Sequence, residues 1–283
     1  MIRRIAVLGA GTMGHGIAHA AIAAGYDTCL FDVSFEMLER GRAAIDAIVE
    51  KSVDLGKATA ADGEAMLQRL ITATEISHVL GNADFVIEAA SERIDVKLKL
   101  FADVERLAPA RAIVTSNTSA LSITEMAATL SHPSRVAGMH FFNPVHKMRL
   151  VEIVRALETS PSTLAAVEEV AARMGKETVV VRESPGFITT RVNASLGNEA
   201  FYMLMEGVAS AEDIDKALKL GLNHPMGPFE LVDLVGLDTR LSILEYLHRS
   251  MGEKYRPCPL LVQYVKAGRL GRKVGRGVYE YPR

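Results

Sequence analysis

The sequence predicts an α/β chain in two parts, an open sheet interleaved with helices and then helices alone. Three observations carry that prediction. Short apolar runs alternate with helical patterns (Ile5–Leu8, Thr28–Phe31, Ile71–Ala73, Ala83–Glu88, Ala112–Thr115, Thr178–Val181), as parallel strands covered on both faces do. The first run leads straight into Gly9-Ala-Gly11-Thr12-Met13-Gly14 and a helical pattern ending near Gly25, and the second ends in Asp32. From Pro185-Gly186 onward strand-like alternation stops, and helical spacing takes over in Phe187–Met205, Ala211–Leu220, Phe229–Met251 and about Pro259–Ala267. We therefore expect a Rossmann-like dinucleotide-binding domain over residues 1–184, followed by an all-α C-terminal domain over residues 185–283.

The glycine turn has a chemical rationale. Gly9, Gly11 and Gly14 permit a tight turn, close approach of backbone to a pyrophosphate, and close helix–strand packing, with Thr12 and Met13 at the helix mouth. Alone, such a turn is also a common structural feature. Asp32 strengthens the ligand reading, because a carboxylate there accepts both ribose hydroxyls of an adenosine and repels a 2′-phosphate. No Arg or Lys follows it immediately. The expected cofactor is NAD.

Composition narrows the classes. The chain has 283 residues, 49% hydrophobic and 23% charged, with a net charge of −2, which describes a globular chain and gives no support for nucleic acid or an anionic membrane as partner. Cys29 lies in an apolar run and Cys258 between two prolines in an expected loop. Two cysteines cannot build a metal site alone; none is expected, and a reducing cytoplasm fits them best. Met-Ile-Arg-Arg before an Ala- and Gly-rich run mimics a secretory leader, but His15, His19 and Asp27 interrupt it. No run approaches the ~20 apolar residues of a membrane helix.

Residues 35–70 are long for a crossover and predict a helical hairpin. Leu38, Ile45, Ile48 and Val49 space the first helix, and a second follows Thr59 with Asp62 as its N3 carboxylate. Lys51 and Lys57 flank the tip, and composition alone reads them as solvated lysines. Ser116-Asn117-Thr118-Ser119 lies just past a strand, where ligands meet an open sheet and where helix caps are equally at home.

The segment from His140 to Val154 concentrates the chemistry. It runs out of an apolar stretch, turns through Asn143-Pro144, and re-enters an extended run from Leu150 with Glu152 in its middle. Two such runs can bring imidazole and carboxylate together, fixing the ring's tautomer so that its second nitrogen can move a proton. The literal string His140-Phe-Phe-Asn143-Pro144, Met148, Leu150-Val-Glu152-Ile resembles the active-site segment of the 3-hydroxyacyl-CoA dehydrogenases. His224-Pro-Met-Gly-Pro-Phe-Glu-Leu231, Gly236-Leu-Asp238 and Gly271-Arg-Lys-Val-Gly-Arg-Gly-Val-Tyr279 extend the resemblance over essentially the whole chain. It is closest to the stand-alone 3-hydroxybutyryl-CoA dehydrogenases.

The resemblance implies NAD-linked oxidation of an (S)-3-hydroxyacyl-CoA, or its reversal, with His140 as acid/base, Glu152 orienting it, and Ser119 bonded to the reacting oxygen. It places Glu92, Lys97, Asn143 and Lys273 near the cofactor and Asn117 either facing the cofactor or behind the serine, and makes Lys51 and Lys57 candidates for CoA phosphates. One position departs from the family pattern Gly-Phe-Ile/Val-Val-Asn-Arg. Here Thr190 stands where the family has its substrate-holding Asn, and Asn193, on the same helix face, is the other candidate. Two alternatives remain at this stage: a dehydrogenase of a free 3-hydroxy acid such as carnitine or a sugar acid, and a non-catalytic NAD-binding protein like the λ-crystallins. A homodimer through the helical domain is expected, because so few helices bury their apolar faces only partly.

Overall fold

The computed structural model describes residues 2–282, and the chain divides into two compact units between Glu183 and Ser184. The first unit is built on one eight-stranded sheet. Its strands are β1 (Arg4–Leu8), β2 (Asp27–Phe31), β3 (Leu70–Ala73), β4 (Phe85–Glu88), β5 (Ile113–Ser116), β6 (Val136–Phe141), β7 (Leu150–Arg155) and β8 (Glu177–Arg182). They lie in the order β3-β2-β1-β4-β5-β6-β7-β8, so the order reverses beside β1, where open α/β sheets take their ligands. Every neighbouring pair is parallel except β6 and β7.

Helices α1 (Gly14–Ala23), α2 (Phe35–Asp54), α3 (Ala60–Leu67), α4 (Ile76–Leu80), α5 (Ile94–Leu107), α6 (Ile123–Ala127) and α7 (Pro161–Arg173) connect the strands. The continuous apolar runs read as strands are buried: Ile5 to Leu8 and Phe85 to Ile87 are at most 1% exposed. Ile17, Ala21 and Ile22 of α1 join Ile5, Val7, Phe85 and Ile87 in one apolar core, which continues to Val167 of α7 beside the later strands. The predicted hairpin forms as α2 and α3. Ser34 caps α2, and Thr59 and Asp62 make a reciprocal capping box on α3, which fixes where each helix begins.

The antiparallel pair β6–β7 sets His140 directly opposite Glu152 in the register. The strands come close because Gly138, opposite Val154, has no side chain; a Cβ there would lie 2.6 Å from the Val154 Cβ and 3.2 Å from Ile123 Cδ1. The turn between them contains a cis Asn143–Pro144 bond, and Val145 packs onto Gly16 of α1.

The second unit is helical: α8 (Thr189–Met205), α9 (Ala211–Gly221), α10 (Pro228–Val235), α11 (Leu237–Met251) and α12 (Pro259–Lys266). The single helix expected over Phe229–Met251 is two, because Gly236 adopts φ 105 and turns the chain out of helix between α10 and α11. Cys258, expected in a loop, is the buried N-cap residue of α12, its N–H donating to Asn198 Oδ1 at 2.8 Å. Phe201 and Phe229 meet edge-to-face at 5.3 Å in a core with Leu237, Leu244, Leu247 and Leu261.

Buried Asp233 fastens the C-terminal segment. It accepts from Val278 N, Tyr279 N and Tyr281 Oη, while Tyr279 Oη donates to Asp215. The glycines of that segment are required by this contact: a Cβ on Gly277 would lie 2.0 Å from Asp233 Oδ1. Among the described residues no helix is long and apolar enough to cross a membrane.

The close approach of β6 and β7 is directly testable. Gly138→Ala should cost about 1–3 kcal/mol by forcing these strands apart. Urea denaturation measures it; a variant as stable as the parent would mean that the pair has slack.

Candidate active site

His140 is 5% exposed and Glu152 is fully buried, and Nδ1 of the ring lies 2.7 Å from Glu152 Oε2. A carboxylate accepts, so Nδ1 carries the proton and donates it to Glu152, which makes Nε2 the basic nitrogen of the neutral ring. The ring of Phe142 packs against the imidazole at 4.6 Å between centroids. Asn117 Oδ1 accepts from the backbone N–H of Phe141 at 2.8 Å, tying the end of β5 to the residue after His140. Asn117 therefore braces the histidine strand from behind it, through the backbone of Phe141.

A cavity of about 790 Å³ opens at the C-terminal ends of β1, β2 and β4. Gly9, Gly11, Thr12, Met13 and Asp32 line it, as the glycine pattern predicts. The glycines divide their work. A Cβ on Gly14 would strike Gly9 O at 1.7 Å and one on Gly9 would strike Ala89 O at 2.8 Å, so these two serve internal packing. Gly11 would meet nothing within 4 Å, so its missing side chain leaves room on the ligand side. Asp32 is fixed by two backbone N–H groups, accepting from Ala10 N of the glycine turn at 2.9 Å and from Ser34 N of its own turn at 3.0 Å. Val33, Met37, Ile76 and Leu100 give part of the lining an apolar character. These residues come from separate elements and had no sequence signal. The residues lining the cavity suit a dinucleotide, whose pyrophosphate the N-terminus of α1 would hold.

The second polar constellation lies where β4 and β5 end. Glu88 is fully buried and Lys97 is 1% exposed, and Lys97 Nζ sits 2.8 Å from both Glu88 oxygens. Glu88 also accepts from Ser116 Oγ at 2.5 Å and Ala90 N at 2.7 Å. Lys97 Nζ is 3.5 Å from Glu92 Oε2, while Glu92 Oε1 accepts from Thr118 Oγ1 at 2.6 Å and Ser119 N at 2.7 Å. Lys97, expected beside the cofactor, thus points its ammonium into a buried ion pair. Glu88 was read only as a strand end, because its partner is nine residues on and reaches it through tertiary packing.

Lys51 lies in the last turn of α2, Lys57 just beyond it, and both are exposed. Asn143 is exposed in the β6–β7 turn. His146 in the same turn faces His19 of α1 edge-on at 6.4 Å. Burial, then the neighbouring His146, Lys176 and His15, push the His19 imidazole down to about 4, so it is neutral at pH 7. His146 is lowered as well, by burial first and then by the positive charges around it, Lys147 foremost. In the second unit, Thr190 and Asn193 are half-buried on the first turns of α8. The Lys273 ammonium is held by both Asp238 oxygens at 2.6 Å.

Comparison with known proteins gives a consistent family signal. The profile described as "3-hydroxyacyl-CoA dehydrogenase, NAD binding domain" matches residues 4–184, and that described as "3-hydroxyacyl-CoA dehydrogenase, C-terminal domain" matches residues 186–281. A probable 3-hydroxybutyryl-CoA dehydrogenase of Bacillus subtilis is 47% identical over 99% of this chain and 98% of its own. The 3-hydroxybutyryl-CoA dehydrogenase of Bradyrhizobium diazoefficiens is 45% identical over 99% of this chain and 96% of its own. The crystal structure of (S)-3-hydroxybutyryl-CoA dehydrogenase from Ralstonia eutropha superposes with a TM-score of 0.95 at 43% identity, covering 100% of both chains.

The cradle predicts a cofactor preference. Asp32 opposes a 2′-phosphate, so kcat/KM should be at least about tenfold higher with NADH than with NADPH. Asp32→Ser with Val33→Arg should narrow the gap. Equal efficiency in the parent protein would contradict the role given to Asp32.

Proposed function

Because the chain belongs to the 3-hydroxyacyl-CoA dehydrogenase family, we propose that it oxidises (S)-3-hydroxybutyryl-CoA to acetoacetyl-CoA with NAD, and catalyses the reverse reduction. The observation that carries this reading is the 2.7 Å contact between His140 Nδ1 and Glu152, in the same unit as the dinucleotide cavity. It supplies a general base of defined tautomer, which dehydrogenation of an alcohol needs.

In the oxidation, His140 Nε2 takes the proton of the 3-hydroxyl, and Glu152 stabilises the imidazolium that results. Bound NAD supplies the acceptor for the hydride that leaves C3. The Ser119 hydroxyl donates to the reacting oxygen as charge develops on it. In the reduction His140 returns the proton to the same oxygen. Thr190 or Asn193 holds the thioester end, and Asn117 braces Phe141 beside the base. The glycine turn Gly9–Gly14, with Thr12 and Met13, and Asp32 would hold the cofactor, with Glu92 assigned to its nicotinamide half, Asn143 and Lys273 assigned to the cofactor without a half, and Lys97 acting behind Glu92 from its buried ion pair.

Lys51 and Lys57 are assigned to CoA phosphates. Exposed apolar side chains on the second unit, among them Val192, Leu220 and Leu222, support a homodimer formed through that unit. Two unpaired thiols, Cys29 and Cys258, suit a reducing cytoplasm.

The decisive assay compares NADH oxidation with acetoacetyl-CoA and with free acetoacetate. Remote binding of the CoA moiety should make kcat/KM roughly a hundredfold or more higher for the thioester. Comparable rates with the free acid would replace the CoA reading by that of a free 3-hydroxy-acid dehydrogenase. No turnover with either, while NADH still binds, would leave a binding protein.

A further inference from the structure

We propose that Glu88 is a positioning residue for Ser119, acting through Lys97 and Glu92 on one side and through Ser116 on the other. The inference rests on the reading of Ser119 as the group that bonds the reacting oxygen. Glu88 itself is fully buried at the end of β4, so any influence it has on the reaction passes through its neighbours.

Two chains of contacts lead from it to the same turn. In the first, Lys97 Nζ is shared unequally between two carboxylates, 2.8 Å from both oxygens of Glu88 and 3.5 Å from Glu92. With its ammonium committed to Glu88, Glu92 keeps its Oε1 turned to the loop, where it accepts from Thr118 Oγ1, Ser119 N and, at 3.3 Å, Ala120 N. In the second, Ser116 Oγ donates to Glu88 Oε2 and accepts from Thr118 N at 3.2 Å. The backbone of residues 116–120 is thus suspended from Glu88 at both ends.

Electrostatics gives the consequence of removing that charge. A buried ammonium that loses its closer carboxylate turns to the remaining one, because an unpaired cation in a low-dielectric site is costly. The Lys97–Glu92 contact then contracts, and Glu92 Oε1 is drawn off Ser119 N. The serine is displaced from its place on the reacting oxygen, and small misplacements of a reacting group lower kcat steeply. An ion pair that merely fastens α5 to the sheet would instead lower stability and leave the loop unmoved.

The full-length Glu88→Gln variant separates the two. Positioning predicts a kcat for acetoacetyl-CoA reduction lower by roughly 10–100-fold, with the KM for acetoacetyl-CoA within about twofold of the parent. It also predicts faster amide exchange in the peptide covering residues 117–121, measured without substrate. In a Ser119→Ala background, Glu88→Gln should change kcat by less than about twofold, because the contact it governs is already gone. Ser116→Ala, a small change that should leave the fold intact if Glu88→Gln does not, should show a lesser loss and the same non-additivity. Multiplying losses in the Ser119→Ala background, unchanged exchange over 117–121, or weaker NADH binding with kcat retained would each overturn the proposal. A Ser119→Ala variant as active as the parent would instead remove the reading of Ser119 on which it rests.

Discussion

The contact between His140 and Glu152 is the constraint around which the first unit is arranged. Burying an imidazole and a carboxylate side by side is costly unless they pair, and pairing at 2.7 Å demands that two strands present them at the same level. The sheet meets that demand by breaking its own rule. All its other neighbouring strands run parallel, whereas β7 returns antiparallel to β6, so residues opposite in register face each other directly. Gly138 permits the close approach and Val145 seats the connecting turn on α1. The base is therefore held by backbone geometry and does not depend on a mobile loop.

The same edge of the sheet carries the rest of the chemistry. Strands β1, β2, β4 and β5 all end there, delivering the glycine turn, Asp32, Glu88 and the Ser116–Ser119 turn within one unit. Each group is tied to the next element by hydrogen bonds: Asp32 to Ala10, Glu88 to Ser116, Asn117 to Phe141. Such cross-bracing gives a catalytic group fixed geometry before a ligand arrives, which is where most of an enzyme's electrostatic advantage originates.

What could be read from the sequence follows the range of the interactions involved. Strand, glycine turn, helix and Asp32 are local and were legible, as was the meeting of His140 and Glu152, which needs only one turn between two strands. The break at Gly236 was not, because apolar residues continue the helical spacing on both sides of it and only the backbone angle stops the helix. Glu88 looked like the last residue of a strand. Its significance depends on Lys97 reaching back from α5 and on Ser116 arriving on a neighbouring strand. The apolar lining from Met37, Ile76 and Leu100 likewise comes from three helices, which the topology alone brings together. The assignment of Lys97 from family resemblance also needs its burial to be understood: its ammonium is already engaged by two carboxylates.

One measurement tests the central claim most directly: steady-state kinetics of His140→Ala, Glu152→Gln and the double variant, with NADH binding measured alongside. His140→Ala should lose roughly 10²–10⁴-fold in kcat with NADH affinity nearly intact, since proton transfer goes and the dinucleotide cavity does not. Glu152→Gln keeps the size of the side chain and loses the charge that stabilises the imidazolium, so kcat should fall on its own. If the two act as one unit, the double variant will be little worse than His140→Ala alone. Losses that multiply in the double variant would mean that Glu152 acts independently of His140, and the pairing seen between β6 and β7 would not be the basis of the reaction.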